Sequence, residues 1–116
     1  MSIRTTIYNI VNTVCRVYAV QDKPARVTEN CAVIVRKSAN ESFNNSLAGW
    51  DNWIIYLYSP HSPLQIDKLR NDVRRALFKN DIEITHDMSD DIYDEYLKCY
   101  VCSITCRTPM VFDYFE

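Results

Sequence analysis

Ile3, Ile7, Ile10, Val11, Val14 and Val17 recur at spacings of three and four, which places them on one stripe of an α-helix. β-branched residues dominate the stripe and lower its intrinsic helix propensity, so this helix is expected to depend on packing. Gln21-Asp22-Lys23-Pro24 should end it, because the residue before proline is pushed out of the helical region. Residues 25–30 read as connecting or edge structure. Cys31-Ala32-Val33-Ile34-Val35-Arg36 is a nearly continuous apolar run, the pattern of a central strand. From Ser38 to Gly49 the chain turns polar, with Asn40, Asn44, Asn45 and Gly49, which predicts a long surface loop.

The next pattern is the most specific. Trp50–Ser59 contains the aromatic and β-branched run Trp53-Ile54-Ile55-Tyr56-Leu57-Tyr58 and reads as a strand stopped by Ser59-Pro60. Ser62 then offers an N-cap, Pro63 fits the first helical position, and Gln65 stands where a capping box places Glu or Gln. A helix over residues 63–79 follows, with Ile66, Leu69, Val73, Ala76 and Leu77 on its apolar face. Ile82-Glu83-Ile84-Thr85 alternates as a short strand with one wet face. Residues 87–95 form an acidic loop. Leu97–Arg107 is the longest strand candidate, with Leu97, Cys99, Val101 and Ser103 on one face and Tyr100, Cys102, Ile104 and Cys106 on the other. Both rows are mainly apolar, so both faces should be covered, and Pro109 should end the strand. The predicted fold is α+β in the order α-β-β-α-β-β: a mainly antiparallel sheet of about four strands with two packed helices.

The chain has 116 residues, which suits one domain spanning 1–116 with a single core. It contains one glycine, Gly49, so Gly-rich phosphate-binding loops are excluded. No apolar run approaches the roughly 20 residues of a membrane helix. Met1-Ser2-Ile3-Arg4 lacks the apolar block of a signal peptide, and the five cysteines are an odd number, so reduced thiols in a cytosolic setting are expected. The net charge of −2 hides an asymmetry. Residues 1–80 carry eleven Lys/Arg against six Asp/Glu, and residues 81–116 carry two against nine. Such a split suits a chain whose surfaces meet different neighbours, including its own copies.

Candidate chemistry is sparse. Cys99-x-x-Cys102 has the spacing of a redox pair, but in a strand residues three apart face opposite sides, and no second pair completes a zinc site. These cysteines read as small buried hydrophobes. His61 belongs to the loop before the cap, while His86 beside Asp87 has the elements of a general base with a carboxylate. Asp87, Asp90, Asp91 and Asp94 supply oxygens without the alternation or glycine of an EF-hand, so with Glu95 they read as a solvated or interface acidic surface tolerant of charge reversal. Arg70, Arg74, Arg75, Lys68 and Lys79 give the second helix a modest basic surface, diluted by Asp67 and Asp72 and too weak for sequence-specific nucleic-acid binding. No cofactor or metal site is expected. Phe43 in the polar loop and Phe112, Tyr114 and Phe115 in the tail are aromatic residues in segments where a contact surface would use them.

The element order, the Trp-x-Ile-x-x-Tyr-Ser run at Trp53–Ser59, the capped helix behind it and a final strand with an aromatic tail resemble the tail terminator proteins of long-tailed bacteriophages, also called tail completion or tail-to-head joining proteins. The resemblance covers most of the chain. It implies a structural, non-enzymatic virion protein at the head–tail joint. Such proteins form a ring, typically of six subunits, that caps the tail tube, stops its polymerisation and joins it to the head. The implied partners are further copies of the chain, the tail-tube protein and a head-completion or connector protein, with no membrane. Asp87, Asp90, Asp91, Asp94, Glu95, Phe43, Phe112, Tyr114 and Phe115 are then the expected interaction residues, the acidic ones facing a basic patch or a channel through which DNA slides without sticking. A small metal-dependent enzyme using His86 and the acidic loop, or a cytosolic adaptor domain, are the alternatives.

Overall fold

The computed structural model describes residues 3–22, 26–42, 45–86 and 91–111. Helix α1 (Ile3–Asn12) leads into strand β1 (Arg16–Tyr18) and a 3-10 turn at Val20–Asp22. Strands β2 (Cys31–Ser42) and β3 (Asn45–Ser59), helix α2 (Pro63–Lys79), and strands β4 (Glu83–His86), β5 (Ile92–Asp94) and β6 (Cys99–Val111) follow. The sheet order is β1-β2-β3-β6-β4, with β5 also on β6. β1 runs parallel to β2, and the other pairings are antiparallel. The α+β class and both helices are therefore as expected. The four expected strands become six among the described residues, in a mixed sheet.

Helix α2 forms where the sequence places it. Ser62 is extended, and its Oγ accepts from the Gln65 N–H at 3.2 Å, with Pro63 following in the first turn. Ile66, Leu69, Val73 and Leu77 are buried against α1 and the sheet. Helix α1 is shorter than its stripe suggests. Thr13 Oγ1 donates to the Ile10 carbonyl at 2.6 Å as the helix ends, and Val17, the last stripe residue, is buried from β1 instead. Arg16, Val17 and Tyr18 pair with Cys31, Ala32 and Val33. A β-branched segment gains more from that ladder than from another helical turn.

The largest correction concerns residues 38–49. Instead of a long loop, β2 and β3 continue as a hairpin ribbon to Ser42↔Asn45, with a register shift between Arg36 and Ser38. Only Phe43 and Asn44 lie between the strands, and both fall outside the described residues. Main-chain pairing makes this polar segment a strand. β6 supports it from the other side, pairing with β3 as far as Ala48↔Val111. Pro109 therefore does not end β6. It pairs opposite Trp50, beyond Glu83↔Arg107, the last β4 pairing on that flank, where a strand tolerates a missing donor.

The two faces of β6 are both used, as its two apolar rows imply. Cys102, Ile104 and Cys106 join Trp53, Ile55 and Leu57 under the helices. Cys99 joins Val27, Cys31, Val33 and Tyr58 in a smaller cluster, with Leu97 and Val101 packed against it. At the edge of the main core the Trp53 indole N–H donates to Thr108 Oγ1 at 3.1 Å, and both residues are buried.

Two stability outcomes follow. Ser62→Ala should lower unfolding free energy by about 1 kcal/mol by removing the cap. Thr108→Val keeps the volume but removes the hydroxyl that accepts from a buried indole N–H, and should cost about 1–3 kcal/mol. Denaturant titrations check both, and an unchanged Thr108→Val midpoint would show that the indole finds another acceptor.

Candidate functional site

The acidic segment is where sequence places interaction residues, and its described part contains a short strand. Residues 92–94 are β5, with Ile92, Tyr93 and Asp94 opposite Val101, Tyr100 and Cys99. The turn that follows is tightly built. Asp94 Oδ1 accepts from the Leu97 N–H at 3.0 Å, Lys98 is left-handed at φ 55°, and the Leu97 carbonyl accepts from Val27 N–H at 3.3 Å. Leu97 thus points inward while Tyr96 stands 95 % exposed at the hairpin tip. Ile92 and Tyr93 are also exposed, and the Tyr93 ring lies edge-on to Tyr100 at 5.1 Å.

Asp91 has a structural role. Arg70, on the middle of α2, donates to Asp91 Oδ1 and to Asp67 Oδ1, each at 2.7 Å. The guanidinium side chain is only 15 % exposed. Its burial works against the charged form, but the hydrogen bond and charge of Asp91 outweigh that, and its pKa is raised. This pair ties the start of β5 to the helix layer. Of the sequence-predicted residues, the structure thus brings Asp91, Asp94 and Glu95 together on one hairpin, with only Glu95 clear of an internal task. Asp87, Asp90, Phe43, Phe112, Tyr114 and Phe115 lie outside the described residues. The expected tolerance to charge reversal is corrected for Asp91, because a lysine there would face Arg70.

A second surface lies at the end of α2. Phe78 is exposed on the helix, and with Arg74, Ile82 and Ile84 it lines a shallow groove of about 500 Å³ between α2 and β4. Arg75 and Asn71 extend the lining along the helix. Asp81, at φ 61°, turns the chain from α2 into the groove wall. Glu83 is held by Arg107 through two bonds of 2.9 Å, and Arg107 stacks 3.9 Å from the Trp50 ring centroid. Sequence reasoning missed Tyr93, Tyr96 and Phe78. Their signal was present: two tyrosines inside an acidic run, and a phenylalanine off the apolar stripe of α2.

The remaining chemistry is muted. Cys99 and Cys102 sit on opposite sides of the sheet, both buried, as their spacing in a strand requires. Burial pushes the thiols of Cys15 and Cys106 up to about 12 and that of Cys102 to about 11, the last despite Arg70 beside it. His86 pairs through β4 with Thr105, and His61 is exposed before the α2 cap. Among the described residues no three His, Cys, Asp or Glu side chains converge as a metal site, and no helix is long and apolar enough to cross a membrane.

No protein-family model matches the chain, and no curated protein matches it.

Asp91→Lys should destabilise the fold by about 1–3 kcal/mol, since it breaks a half-buried charged hydrogen bond, while Glu95→Lys should stay within about 0.5 kcal/mol. Equal midpoints for the two variants would remove the structural role of Asp91. The thiols predict a pH effect of definite sign. A folded-state pKa above the unfolded 9.0 adds stability that is complete below that value and is lost as pH rises through it toward about 12. Denaturation midpoints should therefore fall progressively above pH 9, and replacing Cys106 by Ala should shrink the fall.

Proposed function

We propose that this chain is a structural assembly protein of the tail terminator kind, which forms a ring on the end of a phage tail tube, stops its polymerisation and joins it to the head. The observation that carries the reading is the three-stranded extension of the sheet. β2, β3 and β6 run on past the helix-covered core as a ribbon, and from Ile34 to Ser42 the outer side of β2 pairs with no strand among the described residues. A long open edge invites association and is normally blunted or covered. In a ring, neighbouring subunits cover it.

The charge distribution supports the same reading. The basic excess of residues 1–80 and the acidic excess of residues 81–116 suit head-to-tail contacts, in which one patch meets a different patch on the next copy. The reading assigns no catalytic residue, cofactor or metal. Its partners are further copies of the chain, the tail-tube protein and the connector or head-completion protein, and its place is the head–tail joint of the virion.

The test is assembly. Sedimentation and negative-stain microscopy of the purified chain, alone and with tail tubes, should show rings or capped tube ends. A phage lacking the protein should make tails of unregulated length that fail to join heads, and the native chain should rescue it. A chain that stays monomeric on its tubes and leaves tail length unaltered refutes the assignment.

A further inference from the structure

We infer that one buried water molecule bridges Asn30 Oδ1 and Ser59 Oγ, where the connection before β2 meets the end of β3 under the helix layer, and that it fastens this connection to the sheet. The inference is independent of the assembly reading.

The two oxygens call for a ligand. Among the described residues they are the two buried side-chain polar atoms with no hydrogen-bond partner. Ser59 is fully buried, and Asn30 is half-buried with its amide oxygen shielded from solvent. A buried oxygen without a partner forfeits the bonds it made to water, and native proteins seldom leave one in that state.

Register brings the pair together. Cys31 pairs with Tyr58, and Asn30 and Ser59 are the next positions on the two antiparallel strands. Residues opposite each other in such strands have Cβ atoms about 4.5–5.5 Å apart. One water making two bonds of about 2.8 Å spans a gap of that order. Alternation puts both side chains on the helix side, since Ser59 continues the row Trp53, Ile55 and Leu57, and Asn30 precedes Ala32 by two. The adjoining row across the sheet, Ala32↔Leu57↔Cys102, is at most 1 % exposed. The small side chains of Ala32 and Ser59 suit a site for one water, which needs little volume but at least two polar partners.

The chemistry selects water over an ion. Two neutral oxygens are too few for a hard cation, which takes six or more. Cys15 packs against the same core, but burial pushes its thiol up to about 12, so it offers no thiolate to a softer metal. An anion would meet the Asn30 oxygen, which only accepts. Water donates to Asn30 and exchanges a hydrogen bond with Ser59. The bridge also completes a support. Val27 N–H donates to the Leu97 carbonyl at 3.3 Å and holds one end of the connection on the turn before β6. The water holds the other end on β3.

The native chain is tested first. A crystal structure that resolves single waters should show one within hydrogen-bond distance of both oxygens, and relaxation dispersion of solvent oxygen-17 should report a long-lived water in solution. Ser59→Val fills the site with a methyl group, and the dispersion amplitude should fall by the share of one water. Ser59→Ala and Asn30→Ala each withdraw one partner. Each should lower the ratio of folded to unfolded protein about fivefold or more, and the double variant should lose little beyond the worse single one, because both act on one bridge. Should a variant fail to fold, the two native readings decide. A direct Ser59–Asn30 hydrogen bond in the native crystal overturns the inference, and so does a dry pair or a native chain without a long-lived water. An unchanged dispersion amplitude in folded Ser59→Val, or fully additive losses in the alanine variants, overturns it as well.

Discussion

The fold depends on β3 being hydrogen-bonded on both sides. From Gly49 to Tyr58 this strand has β2 on one flank and β6 on the other, so its backbone groups have ladder partners within the sheet. Its alternation then organises the layers. Trp53, Ile55 and Leu57 face the helices, and Tyr56 and Tyr58 face the smaller cluster. A slip of one residue would send all of these to the wrong face. Trp53 guards against it at the edge of the core, because its indole N–H reaches Thr108 across the β3–β6 ladder.

The same strand joins two regions of different character. Over Trp53–Ser59 its alternate residues Trp53, Ile55 and Leu57 are buried in the core that α2 covers. Over Asn45–Asn52 it belongs to a ribbon whose sequence is polar. The junction is braced by side chains that tie neighbouring strands together. Arg36 meets Asp51 at 2.6 Å from β2 to β3. Arg107 on β6 holds Glu83 on β4 and stacks on Trp50 of β3. These contacts are partly exposed, so each contributes little to global stability. Their effect is orientation, because together they aim the ribbon relative to the core.

How much of this could be read in the sequence varies by element, for physical reasons. The α2 segment was fully legible, since a cap, a proline and a helical stripe all point to one answer. Helix α1 was overextended because Val14 and Val17 continue a period of 3.6 while also fitting a strand, and only the distant Cys31–Val33 partner decides. The ribbon was invisible because polarity on both faces reads as loop; what makes it a strand is the ladder to β3 and β6. β5 was missed for a similar reason, being three residues long within an acidic run. Pro109 misled because its place on an open flank of β6 is a tertiary fact. In the candidate site, Arg70, far away in sequence, separates the structural Asp91 from the exposed Glu95.

That separation bears on how function should be sought in this chain. A run of carboxylates looks uniform in sequence, yet its described members have three distinct environments: Asp91 anchors β5 to α2, Asp94 closes the turn, and Glu95 projects into water beside Tyr96. Mutating the run as a block would mix loss of fold with loss of contact, and the result would resemble a functional defect whatever its cause. Arg70 and Leu97 hold the hairpin from both ends, so its backbone is fixed while the Tyr96 side chain stands in water. The residues that deserve testing for function are therefore those the fold does not need, and here they are the aromatic side chains that water surrounds.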